Sequence, residues 1–139
     1  MKKAEIAVNT FNNNLNCAQS VVGAFAEQYN LERDSLYKLA SAFGGGMGHS
    51  DRVCGAISGG LMVLGLKHNE KQYDKDTTYA QTRHLMDEFI KRNGSRDCEK
   101  LIGVDLMTEE GKKKFQSEGI KKKVCEKCIV DVIDIIENG

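Results

Sequence analysis

The five cysteines are the residues of this sequence best suited to chemistry, and two of them lie where a helix is expected to begin. Cys17 follows Asn14 and Asn16, either of which can cap a helix N-terminus, and Cys54 follows a segment in which Ser50 or Asp51 can cap the next helix. The unpaired amide hydrogens and the positive dipole end of a helix N-terminus favour a thiolate over a thiol. Cys17 and Cys54 are therefore predicted to be reactive.

The other three cysteines are Cys98, Cys125 and Cys128. The last two have Cys-x-x-Cys spacing within a predicted C-terminal helix, where positions i and i+3 bring the sulfur atoms close together. The sequence has no second Cys-x-x-Cys motif and no thioredoxin-like βαβ pattern, the usual surroundings of a zinc knuckle or a redox pair. Ordinary burial in the core explains these two cysteines equally well.

The segment from Ala42 to Leu66 holds eight of the fourteen glycines. Its first part is predicted to be a glycine-rich loop, and its second part a central helix in which small residues let another helix or a bound group approach closely. Glycine inside a helix costs about 1 kcal/mol relative to alanine, so this many require a reason. The glycines predicted to contact a cofactor are Gly45, Gly46, Gly48, Gly55 and Gly59. His49 is a candidate base or metal ligand because it lies five residues before Cys54.

Length and composition favour an all-α fold. A chain of 139 residues fits one domain, here residues 1–139, and can bury a core without disulfides. The absence of proline and the presence of only nine aromatic residues favour helices over a sheet. Hydrophobic periodicity predicts a single-domain bundle of about five to seven helices, the last of them over residues 120–136.

Charge and hydropathy exclude several classes of partner. The formal net charge is zero, so no basic field exists to attract nucleic acid. The longest apolar run, 56–66, falls short of the roughly 20 residues that span a bilayer, and asparagines interrupt the N-terminus before any signal-peptide core. We therefore expect a cytoplasmic protein without membrane insertion. That compartment keeps thiols reduced, which leaves catalytic thiols, metal ligands or buried residues as roles for the cysteines.

Several motifs together resemble one family. They are NCAQSV at 16–21, GGGMG at 44–48, CGAISG at 54–59 and CEKLIGVDL at 98–106, followed by a cysteine near the C-terminus. This combination resembles the small bacterial and archaeal C-GCAxxG-C-C family, whose members are described as redox-active. The resemblance implies that the family's cysteines are Cys17, Cys54, Cys98 and Cys125, with its small-residue motif at Gly55, Ala56 and Gly59. Cys128 is then an additional cysteine.

Three functions remain open at this stage. The leading hypothesis is reversible thiol–disulfide or electron-transfer chemistry, an oxidoreductase-like activity in which Cys54 pairs with Cys17. Cys98 and Cys125 would form a second pair or act as resolving thiols, and the partner would be a redox protein or a small thiol.

The second hypothesis is a zinc or iron–sulfur site formed by Cys17, Cys54, Cys98 and Cys125, with His49 as a further ligand. The third is a helical binding module whose cysteines only pack. In that case a glycine-walled pocket around residues 44–60 would hold a flat ligand or a neighbouring subunit, so a homo-oligomer is left open.

Overall fold

Eight α-helices form the regular structure of the computed structural model, which describes residues 1–139. They are α1 (Lys3–Phe11), α2 (Cys17–Gly23), α3 (Arg33–Ala40), α4 (Gly55–His68), α5 (Lys75–Asn93), α6 (Cys98–Ile102), α7 (Glu109–Ser117) and α8 (Glu126–Asn138). A 3₁₀ turn at Ser41–Phe43, a glycine turn at Gly44–Met47 and a π-helical turn at Lys121–Cys125 complete the helical segments. There is no β-strand, so the prediction of an all-α bundle is confirmed.

The central helix is α4, which packs against α2, α5 and α8. Eight of its fourteen residues are buried, and it has no polar face because neighbouring elements surround it. The main core joins these helices to α1 through large buried side chains. Those include Phe25, Ile57, Leu85, Phe89, Ile129 and Ile133. No helix of the chain is long and apolar enough to cross a membrane.

Two glycines of α4 determine how closely α2 approaches. A Cβ atom at Gly59 would lie 2.6 Å from the carbonyl oxygen of Ala18, and one at Gly55 would lie 3.2 Å from the Cβ atom of Cys17. The helices therefore touch almost backbone to backbone along this line. As a result, the first residue of α2 is held beside the start of α4.

Local hydrogen bonds fix where the cysteine-bearing helices begin. Asn16 caps α2 as predicted, because its side chain accepts from the Gln19 amide while the Gln19 side chain accepts from the Asn16 amide. The prediction that Ser50 or Asp51 caps the next helix is wrong. Cys54 itself occupies the N-cap of α4, with an extended ψ of 134°. The chain turns through residues 44–51 before it reaches this position, so the earlier polar residues lie outside the helix.

The C-terminal helix also differs from its prediction. Residues 120–136 were expected to form one regular α-helix, but residues 121–125 form a π-helical turn before α8 begins at Glu126. Such turns often occur at functional sites because they change the register of the side chains that follow. Here the turn ends on Cys125, three residues before Cys128.

Candidate functional site

Three of the five cysteines line a single cavity of about 330 Å³. Cys17, Cys98 and Cys125 line it, together with apolar side chains from α1, α6 and α7. Cys17 and Cys125 are half-buried, and Cys98 is buried. The cavity therefore gives a small molecule access to sulfur atoms contributed by α2, α6 and the π-helical turn.

Cys17 and Cys125 form the first thiol pair. The Cys17 thiol donates a hydrogen bond to the Cys125 sulfur, and this interaction, followed by burial, raises the pKa of Cys17 well above its usual value. The negative charge of Cys54 raises it further. The prediction that the start of α2 would make Cys17 a thiolate is therefore wrong in sign. A hydrogen bond that requires the protonated form outweighs the dipole of a helix of only seven residues.

Cys54 and Cys128 form the second pair, which does not line the cavity. Their exposed fractions are 6% and 1%. A hydrogen bond from the Cys128 thiol lowers the pKa of Cys54 despite its burial, and the nearby amides of Ala56 and Ile57 lower it further. The pKa of Cys128 is raised by the same hydrogen bond and by burial. This direction agrees with the predicted thiolate character of Cys54, which stays a prediction.

Cys98 is the fifth thiol, and no hydrogen bond to another cysteine contributes to its pKa. Burial, followed by the charge of Cys54, raises the pKa of Cys98 to about 12. Backbone hydrogen bonds hold it near Cys54: the Cys54 amide donates to the Arg96 carbonyl and the Cys98 amide donates to the Arg52 carbonyl, both at 2.8 Å. Cys98 is thus a neutral thiol on the cavity wall.

These pairs differ from the grouping expected from the sequence, which joined Cys54 with Cys17 and Cys98 with Cys125. The reason lies in the C-terminal segment, which passes the first residues of both α2 and α4. Cys125 meets Cys17 at the start of α2, while Cys128 meets Cys54 at the start of α4. Cys128, which the family resemblance leaves unassigned, is therefore a partner of the central thiol. Its Cys-x-x-Cys spacing had suggested proximity to Cys125 and gave no sign of this contact with Cys54.

The glycines predicted to bind a cofactor separate into two groups. Gly45 lines the cavity beside His49. A Cβ atom added to Gly46 would lie 2.8 Å from the Cβ atom of Cys98. His49 is exposed at the cavity. Gly48 has only one distant neighbour, the Ala42 carbonyl oxygen at 3.8 Å. Gly55 and Gly59 contact α2 instead of the cavity. Helix packing accounts for these last two, and a cofactor contact for the set stays a prediction.

The sulfur atoms are arranged in pairs and do not form a compact ligand set. A single ion bound by three thiolates at about 2.3 Å requires sulfur atoms within about 4 Å of one another. No three cysteine sulfurs here lie mutually within 4.8 Å; the group of three ligand atoms that does so is Asp51, Glu99 and Asp105. Zinc or cluster binding by Cys17, Cys54, Cys98, Cys125 and His49 stays a prediction.

The raised pKa values predict that stability falls as pH rises above about 8.5, the usual pKa of cysteine. The unfolded chain then loses thiol protons that Cys17, Cys98 and Cys128 retain in the folded protein. Because the folded state binds more protons, the free energy of unfolding decreases by about 1.4 kcal/mol per pH unit for each such thiol. For Cys98 this window closes near pH 12. Cys54 acts in the opposite sense below about 8.5, where its lowered pKa makes stability rise with pH.

Urea unfolding at a series of pH values, under reducing conditions, measures this slope. Replacement of Cys98 by alanine is expected to make the alkaline slope shallower by about 1.4 kcal/mol per pH unit. An unchanged slope in that variant would mean that Cys98 ionises equally in the folded and unfolded chains.

Comparison with known proteins places the chain among relatives. It is 28% identical over 130 residues to an "Uncharacterized protein" of Archaeoglobus fulgidus, an alignment that covers 82% of this chain and 86% of the relative. No solved structure matches the chain. The family model described as "Putative redox-active protein (C_GCAxxG_C_C)" matches residues 15–138, a range that contains all five cysteines and the cavity residues from Asn16 onward. Since this match covers nearly the whole bundle, the chain belongs to the C_GCAxxG_C_C family.

Proposed function

We propose that this protein carries out thiol–disulfide exchange through two cysteine pairs. The outer pair is Cys17 and Cys125 at the cavity, and the inner pair is Cys54 and Cys128 in the core. The observation that carries the proposal is the placement of Cys17 and Cys54 at the starts of two adjacent helices, each beside a cysteine of the C-terminal segment. The lowered pKa of Cys54 supports it, because exchange begins with attack by a thiolate. Each resolving thiol then gives up its proton to the thiolate that has left.

The surroundings of Cys54 favour its thiolate form although the side chain is only 6% exposed. The Cys128 thiol has the largest effect in lowering the pKa of Cys54, and the Ala56 and Ile57 amides of the first turn of α4 lower it further. These polar groups compensate in part for the water that burial removes.

The two pairs lie next to each other at the starts of α2 and α4. Cys17 adjoins the start of α4, since a Cβ atom at Gly55 would lie 3.2 Å from its own Cβ atom. If an outer disulfide has formed, the Cys54 thiolate attacks the Cys17 sulfur and Cys125 leaves as a thiolate. Cys128 then passes its proton to the Cys125 thiolate, attacks the Cys54 sulfur and releases Cys17 as a thiolate. The inner pair is oxidised, the outer pair is reduced, and one thiol and one thiolate remain, as at the start.

This reaction requires a source of reducing equivalents, which a partner protein or a small thiol would supply. Resting thiols of this kind are maintained in a reducing compartment, and on that ground we place the protein in the cytoplasm. The alternative of a single metal ion receives less support, because the sulfur atoms pair and no three of them lie within 4.8 Å.

The test is intact mass spectrometry of anaerobically purified protein, followed by mild oxidation and peptide mapping. The expected result is a reversible loss of about 4 Da, two hydrogens for each of two disulfides. The mapped bonds should join Cys17 to Cys125 and Cys54 to Cys128. The Cys98→Ser variant is the matched control and should lose the same mass.

Two outcomes would contradict the proposal. One is a mass gain that disappears on acidification, which would make the cysteines a metal site. The other is a mapped disulfide between Cys125 and Cys128 in wild-type protein, because that bond would replace both expected pairs.

A further inference from the structure

We infer that the cavity binds a small disulfide that carries carboxylate groups and that this molecule oxidises the outer pair. The inference rests on the proposed function and names its substrate class. The charge of the cavity, its apolar walls and the position of its sulfur atoms support this assignment.

The two lysine side chains that line the cavity have no acidic counterpart on its wall. Lys112 and Lys121 are on the wall, and no aspartate or glutamate is. The ion pair of Lys112 with Glu109 is long, at 3.8 Å, and both side chains are largely exposed, so it leaves the lysine available to a ligand. Asp51 acts on Cys98 from a group that it forms with Glu99 and Asp105, but none of these three lines the cavity, so the charges on the wall itself are those of the two lysines. An anionic ligand complements these charges.

One lysine is held in position at the wall. The amino group of Lys121 lies 4.6 Å from the centroid of the Phe11 ring, a cation–π contact that orients it. Lys121 begins the π-helical turn that ends on Cys125. The basic group and the accessible sulfur are therefore contributed by one short segment, and a carboxylate held by the first brings its disulfide near the second.

The remaining walls suit the uncharged part of such a molecule. Phe11, Ile102, Leu106 and Phe115 supply apolar surface for methylene groups and for the disulfide itself. The volume of about 330 Å³ is at the lower end of the range of roughly 300–1,000 Å³ for small-molecule sites. A compact dicarboxylate disulfide matches both the size and the chemistry.

The reaction assigns a role to each outer cysteine. The Cys125 sulfur, which accepts the Cys17 hydrogen bond, attacks one sulfur of the ligand RSSR. The ligand S–S bond breaks, one RS⁻ leaves, and Cys125 carries the mixed disulfide. Cys17 then attacks the Cys125 sulfur and releases the second RS⁻. Two thiols of the protein become one disulfide, RSSR takes up two electrons, and the two thiol protons leave on two RSH molecules.

The experiment compares three small disulfides of different charge as oxidants of the fully reduced protein. They are dithiodipropionate, a dianion, hydroxyethyl disulfide, which is neutral, and cystamine, a dication. Each second-order rate is divided by the rate of the same disulfide with dithiothreitol, which removes differences in intrinsic reactivity. We expect the normalised rate of the dianion to exceed that of the neutral compound by about tenfold and that of the dication by more.

Paired lysine variants identify the source of this preference. The K112Q/K121Q variant removes both basic groups of the cavity and should bring the three normalised rates within about twofold of one another. The K113Q/K122Q variant removes the same charge from neighbouring lysines that do not line the cavity, so it should keep the preference.

Two results would overturn the inference and leave the proposed function intact. They are equal normalised rates for all three disulfides with wild-type protein, and a preference that persists in K112Q/K121Q. Failure of every disulfide to oxidise the wild-type protein would overturn both the inference and the proposed function.

Discussion

Replacement of Cys54 by serine is expected to abolish the thiolate of lowered pKa and to limit the protein to one disulfide. Wild-type protein should lose about 4 Da on oxidation, whereas Cys54→Ser should lose about 2 Da, because Cys128 no longer has its partner. The first thiolate to form in a pH titration of wild-type protein should appear below the usual cysteine pKa of about 8.5, and this early ionisation should be absent from the variant.

Serine is the appropriate replacement because the position is an N-cap. The serine hydroxyl oxygen can accept a hydrogen bond from an amide of the first turn of α4, and serine is among the preferred residues at helix N-caps. The start of α4 should therefore be preserved. The variant then tests the chemistry of the sulfur atom and not the stability of the helix.

The other thiols report on the same change. The charge of Cys54 contributes to the raised pKa of Cys17, of Cys98 and of Cys128. Without that charge, all three should ionise at lower pH than in wild-type protein. The ultraviolet absorbance of thiolates, measured against pH under reducing conditions, follows both the loss of the first ionisation and this downward movement of the others.

The Cys98→Ser variant is the control for this experiment. It removes a cavity cysteine whose pKa does not depend on a hydrogen bond to another cysteine. The early ionisation and the loss of about 4 Da should therefore both persist. A wild-type titration without any thiolate below about 8.5, or one unchanged by Cys54→Ser, would assign the reactive sulfur elsewhere.

The sequence predicted the parts of this site that depend on local structure. The placement of Cys17 at the start of α2 follows from its capping residue Asn16, and the lowered pKa of Cys54 agrees with its place before a helical stretch. Both are decided within a few residues of the cysteine. The absence of strands was likewise predictable, since composition and periodicity act over every segment of the chain.

The pairing of the cysteines could not be predicted in this way. It depends on where the C-terminal segment passes the other helices and on a π-helical turn at Lys121–Cys125, which periodicity had represented as regular helix. The raised pKa of Cys17 is a tertiary effect for the same reason, since Cys125 causes it from more than a hundred residues away. The sequence around Lys112 and Lys121 likewise gives no sign that these two lysines line the same cavity as three of the cysteines.

Replacement of Gly59 by alanine is expected to destabilise the protein by about 2 kcal/mol, and replacement of Gly65 in the same helix to stabilise it by about 1 kcal/mol. The first substitution places a Cβ atom 2.6 Å from the carbonyl oxygen of Ala18, a backbone atom that can move only if α2 moves. The second has no other atom within 4 Å, so it gains only the helix preference of alanine. Urea unfolding of both variants under reducing conditions measures the difference.

This displacement should also change which disulfides form. Movement of α2 away from α4 carries Cys17 with it, while the donors to Cys54 belong to α4 and α8 and stay in place. Mild oxidation of Gly59→Ala should therefore yield less of the Cys17–Cys125 bond relative to Cys54–Cys128, whereas Gly65→Ala should keep the wild-type ratio. If both alanine variants unfold at the same urea concentration and give the same disulfides, close approach of α2 is not the reason for the glycine. Both expected outcomes together would mean that the small residues of the family motif act on the chemistry by fixing the distance between two helices.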